Sequence, residues 1–263
     1  VDLGRKVVDA KVQRPLKERA LRWALKEGLT SALFAPAMKL GQSVRSLLPA
    51  ALKAKVPAPQ NAGAWPQETH TRKVLMLAGC VQPAMMPNIN SATARVLNAC
   101  GIQVVVPPSA GCCGAVKFHL NDQVGGLDHM RHNIDAWWPW VEQGVEAIVM
   151  NVSGCGVTVK EYGHLLQHDA QYAAKARRIS ELTRDLSELL PMCLPELQKQ
   201  LKPELVAQTG VLAYHPPCTL QHGQQLKGGV EFQLGQLGFK LRVAEVESHL
   251  CCGSAGTYSV LQA

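Results

Sequence analysis

The chain has 263 residues, of which 47% are hydrophobic and 18% are charged, so it is long enough for one large core or two smaller ones. Its apolar runs fall short of the roughly 20 residues that a membrane-spanning helix needs, and no secretory signal is present, so we expect a cytoplasmic protein. It begins at Val1 and stops at Ala263 within a Gly/Ser/Ala-rich stretch, and we expect a part of a longer polypeptide.

The net charge of +7 is concentrated in residues 1–56, which hold 12 Lys/Arg against 4 Asp/Glu, a balance of +8. Two helices are predicted in this basic helical segment, over 15–29 and 36–48, each with apolar residues at helical spacing. The charges indicate either a solvated face of helices that pack on a core, or a surface that docks on a partner subunit or an anionic membrane. Nucleic acid is not expected, because the cations are not interleaved with stacking aromatic residues.

Residues 57–70 are rich in Pro, Ala and polar residues and are predicted to be a linker. A first unit over 71–168 then alternates strands and helices, which favours a parallel sheet flanked by helices. Its predicted strands are 74–78, 102–106 and 145–151, and its predicted helices are 91–99 and 121–143.

A helical connector over 169–208, broken by Pro191, Pro195 and Pro203, leads to a second unit over 209–263. The second unit has predicted strands at 211–214 and 240–246 and a predicted helix at 221–237. The same spacing of cysteines occurs in both units, with 31 residues between Cys80 and Cys112 and 32 between Cys218 and Cys251. The predicted fold class is therefore α/β, with two duplicated units whose parallel sheets are flanked by helices, after a basic helical segment.

Seven cysteines follow predicted strands, where the loops of a parallel sheet build a common site. They are Cys80, Cys112, Cys113, Cys155, Cys218, Cys251 and Cys252. Adjacent cysteines are poor disulfide partners, and a reducing compartment favours metal or redox chemistry over structural disulfides. A zinc site would usually show Cys-x-x-Cys pairs, which are absent, so several thiolates from separate loops favour iron and sulfide. Gly111 and Gly114 would let the backbone approach a bulky cluster.

Other reactive side chains have structural explanations. We expect Cys100 and Cys193 to be small buried hydrophobes. His119, His215 and His222 lie near the cysteine loops and could donate to a sulfur, cap a helix or serve a purely structural role. Trp137, Trp138 and Trp140 indicate a packed or subunit-facing helix end. No glycine-rich nucleotide loop follows a strand, so a flavin or nicotinamide on this chain is not expected.

Four segments carry a resemblance to a known family. They are "LAGCVQPAMMPNINSATARVLNACGI", "GCCGAVKFHLND", "NVSGCGVTVKEYGHLL" and "CCGSAGTYSVLQ". They resemble the paired cysteine-rich CCG domains of heterodisulfide reductases, lactate-utilisation proteins and glycolate oxidase, and are most similar to the iron-sulfur subunit of bacterial glycolate oxidase. Such proteins carry an amino-terminal ferredoxin-like domain, whose cysteine runs do not occur in this sequence. The family's downstream Cys-x-x-Cys is represented only by Cys155, after Ser153 and Gly154.

The resemblance implies an iron-sulfur cluster, of the 4Fe-4S type in the full-length protein, as cofactor. The first site would use Cys80, Cys112, Cys113 and Cys155 as metal ligands, and the second site has only Cys218, Cys251 and Cys252. The implied function is that of an electron-transfer subunit in a glycolate oxidase complex, between flavin-containing subunits and a quinone, with a peripheral contact on the inner membrane. The alternatives are a heterodisulfide-reductase-like thiol/disulfide subunit and a zinc-stapled scaffold without redox activity.

Overall fold

A computed structural model describes residues 2–251, 253 and 256–261 of the chain. The helices are α1 (Asp2–Lys11), α2 (Leu16–Gly28), α3 (Phe34–Ser43), α4 (Ala50–Lys53), α5 (Gln82–Met85), α6 (Pro87–Ala99), α7 (Ala115–His119), α8 (Gln123–Glu142), α9 (Ser153–Lys160), α10 (Tyr162–Leu165), α11 (Ala173–Leu182), α12 (Leu186–Gln200), α13 (Pro203–Gln208), α14 (Gly229–Gln236) and α15 (Thr257–Leu261). The strands are β1 (Arg72–Met76), β2 (Ile102–Val105), β3 (Ile148–Met150), β4 (Thr183–Asp185), β5 (Val211–Ala213) and β6 (Lys240–Arg242). In this described part, no helix is both long and apolar enough to cross a membrane.

Two parallel sheets form the framework, which confirms the predicted α/β class. The first sheet has the strand order β2-β1-β3-β4, and the second pairs β5 with β6. In the first sheet Arg72 of β1 pairs with Ile102 of β2, and in the second Val211 of β5 pairs with Lys240 of β6. The pairing offsets within the two sheets, 30 and 29 residues, are nearly equal, as are the cysteine spacings of the two units. A strand–cysteine–helix–strand arrangement thus occurs twice.

The first sheet is buried on both faces because its central strands are mostly apolar. Leu75 and Leu77 point to a core layer built with α8 to α11, while Val74 and Met76 point to a second layer with α6 and α12. This alternation is the ordinary two-residue period of a strand. The second sheet differs, since Val211 is 65% exposed. The main core of the chain is therefore in the four-stranded unit.

The connector between the units differs from the purely helical segment that was predicted. It contains β4, which pairs in parallel with β3 and so extends the first sheet. Pro191 and Pro195 do not break it, because both lie inside the continuous helix α12. The carbonyl of Ser187, which would have accepted the missing N–H of Pro191, instead accepts a 2.7 Å hydrogen bond from Gln233.

The basic segment also corrects the sequence analysis. Helix α3 ends at Ser43, earlier than the predicted 48, and a 3₁₀ turn over Arg45–Leu47 follows. The apolar faces predicted to pack on a core are largely exposed, with Leu16 78%, Trp23 65% and Leu40 66% accessible. Helix α1 was not predicted at all.

The charged side of the segment contacts α7, which follows the paired cysteines, and the residues directly after α7. Lys26 forms an ion pair with Asp122 at 3.1 Å, and Lys117 forms one with Glu27 at 3.1 Å. Both contacts join α2 to residues that flank or belong to α7, directly after the paired cysteines. Part of the basic segment is thus used to hold α7.

The second unit is less regular than predicted. The expected helix over 221–237 is split into a π-helical turn over Thr219–Gly223 and the short helix α14, because Gly228 adopts a left-handed conformation with φ +72°. The expected strand over 240–246 ends at Arg242. Cys80 and Cys218, each predicted to follow the first strand of its unit, follow β1 and β5 by four and five residues and so lie at equivalent strand ends.

Candidate metal centre

Four thiols from three loops lie together at the carboxyl edge of the first sheet. Cys80 follows β1, Cys112 and Cys113 follow β2, and Cys155 lies in the first turn of α9 after β3. Cys112 and Cys113 are each 3% exposed, and Cys80 and Cys155 are partly buried. Among the cysteines that the structure describes, none forms a disulfide. The structure therefore brings together the four residues predicted for the first site.

The four thiols contact one another: Cys80 contacts Cys112, Cys112 contacts Cys113, and Cys113 contacts Cys155. Hydrogen bonds from Cys113 and Cys80 lower the pKa of Cys112, and the backbone N–H of Gly114 adds to this effect despite burial. The same contacts raise the pKa of Cys80 and of Cys113, because each donates to the Cys112 thiolate and loses hydration. Cysteine binds soft metals as the thiolate, and these contacts favour that form at Cys112.

A glycine shapes the loop that carries the paired cysteines. Gly114 has φ +94°, and a Cβ there would lie 2.7 Å from the carbonyl oxygen of Gly126 in α8. Only glycine satisfies both the left-handed conformation and this close approach. Gly111 does not have a positive φ, and no atom lies within 4 Å of an added Cβ, so its backbone conformation does not require glycine and its approach to a cluster stays a prediction. In the second unit Gly253 repeats the positive φ, at +79°.

Uncharged amide side chains hold the ends of β1 and β3, next to Cys80 and Cys155. Asn90 of α6 donates to the carbonyl of Ala78 at 3.1 Å, and Asn151 donates to Asn90 at 2.9 Å. Gln82 completes the group by donating to Asn90 at 2.5 Å and to Asn151 at 3.2 Å. The loops after the two central strands are thereby tied to each other and to α6.

Sequence reasoning missed two residues that bind the backbone of the paired cysteines, Asn133 of α8 and Tyr162 of α10. Asn133 donates to the carbonyl of Cys112 at 2.8 Å, and Tyr162 donates to the carbonyl of Cys113 at 2.8 Å. Burial raises the pKa of Tyr162 far above its ordinary value, which keeps the hydroxyl protonated as a donor. The sequence feature that could have pointed to Asn133 is that it is a polar residue on the otherwise apolar buried face of α8.

The second group of cysteines is more open. The Sγ atoms of Cys218 and Cys251 lie 3.8 Å apart, and Cys251 is exposed. The predicted third member, Cys252, lies outside the described residues. Histidines hold the loop before Cys251, since His215 contacts the carbonyl of Leu250 at 3.0 Å and His222 that of His249 at 3.1 Å. These contacts to backbone carbonyls support the structural role of both histidines.

The two cysteine regions adjoin each other through α9 and the π-helical turn. Ser153 Oγ, two residues before Cys155, lies 2.7 Å from Thr219 Oγ1, directly after Cys218. Gln224 donates to the carbonyl of Ser153 at 3.1 Å and to Asp185 at 3.2 Å. The second unit therefore docks beside the first site.

The remaining singled-out residues lie outside these groups. Cys193 is 1% exposed in the core layer of α6 and α12, and the Cys100 thiol beside it donates to the carbonyl of Val96 at 3.1 Å. Burial, followed by the Cys193 contact, raises the pKa of Cys100 to about 12. His119 contacts Arg5 at 3.0 Å. Trp137 is fully buried and stacks on Tyr162, with ring centroids 6.4 Å apart.

The donor set of the first site determines which metal group it suits. Within residues 2–251, 253 and 256–261, no three His, Cys, Asp or Glu side chains are grouped to hold one metal ion. The four thiols contact one another from Cys80 through Cys112 and Cys113 to Cys155 and come from three separate loops, whereas structural zinc sites usually take paired ligands from Cys-x-x-Cys turns. Buried soft thiolates delivered by separate loops suit a cluster that offers each sulfur a different iron. The residues of the first site therefore fit an iron-sulfur cluster better than a single zinc ion.

Comparisons with known proteins agree with this geometry. The model of the cysteine-rich domain (CCG) matches residues 74–160 and 212–263, which together cover just over half of the chain. The chain is 50% identical over 262 residues to the "Glycolate oxidase iron-sulfur subunit" of Escherichia coli (strain K12), covering 99% of this chain and 63% of that protein.

More distant relatives share the same region. The "Probable glycolate oxidase iron-sulfur subunit" of Bacillus subtilis (strain 168) is 28% identical over 73% of this chain and 41% of its own length. "Lactate utilization protein A" of Anoxybacillus flavithermus is 25% identical over 71% of this chain and 74% of its own length. The chain thus spans about 40–60% of the two glycolate oxidase subunits it matches. Its duplicated sheets, its paired-cysteine loops and these matches place the chain in the cysteine-rich CCG domain family.

Proposed function

We propose that this chain is the iron-sulfur electron-transfer part of a glycolate oxidase complex and is not catalytic by itself. A flavin subunit would oxidise glycolate to glyoxylate, and the electrons would continue towards a quinone. The group of four mutually contacting, buried or partly buried thiols at one sheet edge is the observation that carries the proposal. The relatives named for glycolate oxidase support the substrate class.

The chain's own residues would hold and shield the cofactor. Cys80, Cys112, Cys113 and Cys155 would bind a cluster of the 4Fe-4S type, which supplies one-electron transfer when bound. The amide groups around the loops fix the ligand backbone without adding charge. Cys218, Cys251 and Cys252 would form the second, less complete site in the full-length protein.

The experiment is anaerobic reconstitution with iron and sulfide, followed by iron and zinc counts and electron paramagnetic resonance. Cys113→Ser should abolish the cluster signal, whereas Cys193→Ser should retain it. The two cysteines make a matched pair, because both are buried but they lie in core layers on opposite faces of the first sheet. Zinc binding without iron would support the scaffold alternative and refute the redox function.

Substrate class requires a separate test. Co-purification of the full-length protein with a flavin subunit that oxidises glycolate would support the proposal. Reduction of a mixed disulfide by the reconstituted chain, with no flavin partner, would instead favour the heterodisulfide-reductase-like function.

We propose cytoplasmic placement with a peripheral contact between the basic segment and the inner face of an anionic membrane. The segment carries a balance of +8, and the leucines Leu33, Leu40 and Leu47, at seven-residue intervals, are 74%, 66% and 83% exposed. Cations combined with exposed apolar residues suit an anionic lipid surface.

Co-sedimentation with vesicles tests this contact. Binding should occur with phosphatidylglycerol vesicles, be absent with phosphatidylcholine alone and be weakened by Leu40→Glu. Leu205→Glu is the matched control, since Leu205 is 57% exposed outside the segment. Equal binding of the two variants would contradict the assignment.

A further inference from the structure

Two fully buried polar side chains lie beneath the loop of paired cysteines. Asn133 and Tyr162 are both 0% exposed and come from different helices, α8 and α10. Asn133 accepts the N–H of Gly111 at 2.8 Å and donates to the carbonyl of Cys112 at 2.8 Å. Tyr162 donates to the carbonyl of Cys113 at 2.8 Å and accepts from Asn133 at 3.2 Å. Three consecutive residues of the loop are thus bound by one small network.

This network explains how two adjacent thiols can serve one site. In an extended strand, neighbouring side chains point to opposite faces, so adjacent cysteines could not both reach the same ligand. Here the carbonyls of Cys112 and Cys113 both point to the contacting pair of Asn133 and Tyr162, which is incompatible with a straight strand. The loop is accordingly free of strand structure, and the two thiols interact with each other.

The network carries no charge, and its donors and acceptors are paired with backbone groups of the loop or with each other. Its four hydrogen bonds join amide, hydroxyl and backbone groups. Trp137 stacks on the Tyr162 ring at 22° between planes, which restricts the ring's orientation. Packing thus fixes the tyrosine, and the tyrosine fixes the carbonyl of Cys113.

We propose that Asn133 and Tyr162 are positioning residues that hold Cys112 and Cys113 in the conformation needed to bind the cluster. This inference rests on the proposed iron-sulfur function. In proteins, partners that orient metal ligands typically change metal affinity about 10–100-fold when they are removed. Neither side chain is a ligand, so each acts through the backbone of a cysteine.

The test uses Tyr162→Phe, which removes the donor but keeps the ring that Trp137 packs against, and Asn133→Leu, which removes both functions of the amide. Tyr172→Phe is the matched control. The hydroxyl of Tyr172 donates to Asp135 at 2.7 Å in an exposed pair away from the cysteines. All proteins are prepared and handled anaerobically.

The first readout needs no cluster. Iodoacetamide alkylation of each cysteine in the metal-free protein is followed by mass spectrometry. Tyr162→Phe should accelerate alkylation of Cys112 and Cys113 about fivefold, the effect of losing one ordinary hydrogen bond. Cys193 should keep its rate, and Tyr172→Phe should match the unsubstituted chain. Equal acceleration at Cys193 would indicate general loosening and would overturn the proposal, as would unchanged rates at Cys112 and Cys113.

The second readout is the reconstituted protein. Chelator competition should show iron affinity about 10–100-fold lower in Tyr162→Phe and Asn133→Leu, with an altered paramagnetic signal from the iron that remains. Unchanged affinity and signal in both variants would refute the positioning role. Failure of the unsubstituted chain to bind iron would refute the proposed function instead, and the alkylation comparison would still decide the role of the network.

Discussion

Gly114→Ala probes the most constrained backbone position of the candidate metal centre. The substitution places a Cβ at φ +94°, where an L-residue costs about 1–2 kcal/mol relative to glycine. The same Cβ would lie 2.7 Å from the Gly126 carbonyl and 3.3 Å from two atoms of Met130. Because that carbonyl belongs to α8 and cannot simply rotate away, overpacking adds about 1–3 kcal/mol. We expect a total loss of about 2–5 kcal/mol.

Gly101→Ala is the control, because Gly101 has φ +70° but no atom within 4 Å of an added Cβ. It should cost only the backbone strain of about 1–2 kcal/mol. Urea unfolding of both variants, followed by circular dichroism, measures the two free energies of unfolding. Equal losses would show that the close approach of the loop to α8 contributes nothing, and would refute the reasoning. Gly114→Ala should also lower iron content after reconstitution, whereas Gly101→Ala should not.

Three further predictions concern the framework. Gln233→Leu should lower the free energy of unfolding by about 1–3 kcal/mol, because it leaves the Ser187 carbonyl without a hydrogen-bond donor. Adding Pro191→Ala should restore most of this loss by supplying the missing backbone N–H. A double-mutant cycle that shows no coupling between the two substitutions would contradict this. Arg72 donates hydrogen bonds to Glu146 and lowers its pKa, so the stabilisation is present above the ordinary value of 4.5 and is lost as pH falls through the folded-state value. The stability difference between Glu146→Gln and the unsubstituted chain, at most about 1 kcal/mol for this exposed pair, should therefore vanish in acid, and a difference that grows there would be evidence against the pair. Lys117→Met removes the ion pair with Glu27 and should weaken docking of α2, so limited proteolysis in the linker over 57–70 should be faster than in the unsubstituted chain at low salt. At about 1 M salt, where screening is nearly complete, the two rates should be equal. Equal rates at low salt would count against the contact.

The sequence alone determined the α/β class and the loops that bear the cysteines. Apolar runs such as Val74 to Leu77 have no polar face, so they are typical of strands covered on both sides. Since such strands run parallel, cysteines that follow them must meet at one edge of the sheet. The repeat of cysteine spacing predicted a second unit with a parallel sheet by the same logic, and β5 and β6 do pair in parallel.

The tertiary structure decided what local signals could not. Proline normally ends a helix, but Pro191 remains inside α12 because a distant side chain, Gln233, satisfies the carbonyl it leaves free. The apolar spacing of α2 predicted a buried face, yet Trp23 on that face is exposed. Helical periodicity shows that apolar residues share one side of a helix, but it does not show whether another element covers that side. These outcomes depend on contacts between residues far apart in the chain.

The candidate site divides in the same way. Spacing and residue type were enough to select Cys80, Cys112, Cys113 and Cys155, because thiols are rare and their loops have fixed positions in a parallel sheet. Asn133 stands out only as a polar residue on an apolar helix face and Tyr162 does not stand out at all, since an amide or a phenol acquires its role only when folding places it under a particular carbonyl. The candidate ligands were therefore determined by the sequence, and the groups that orient them were decided only by the packing of α8 and α10 against the loop.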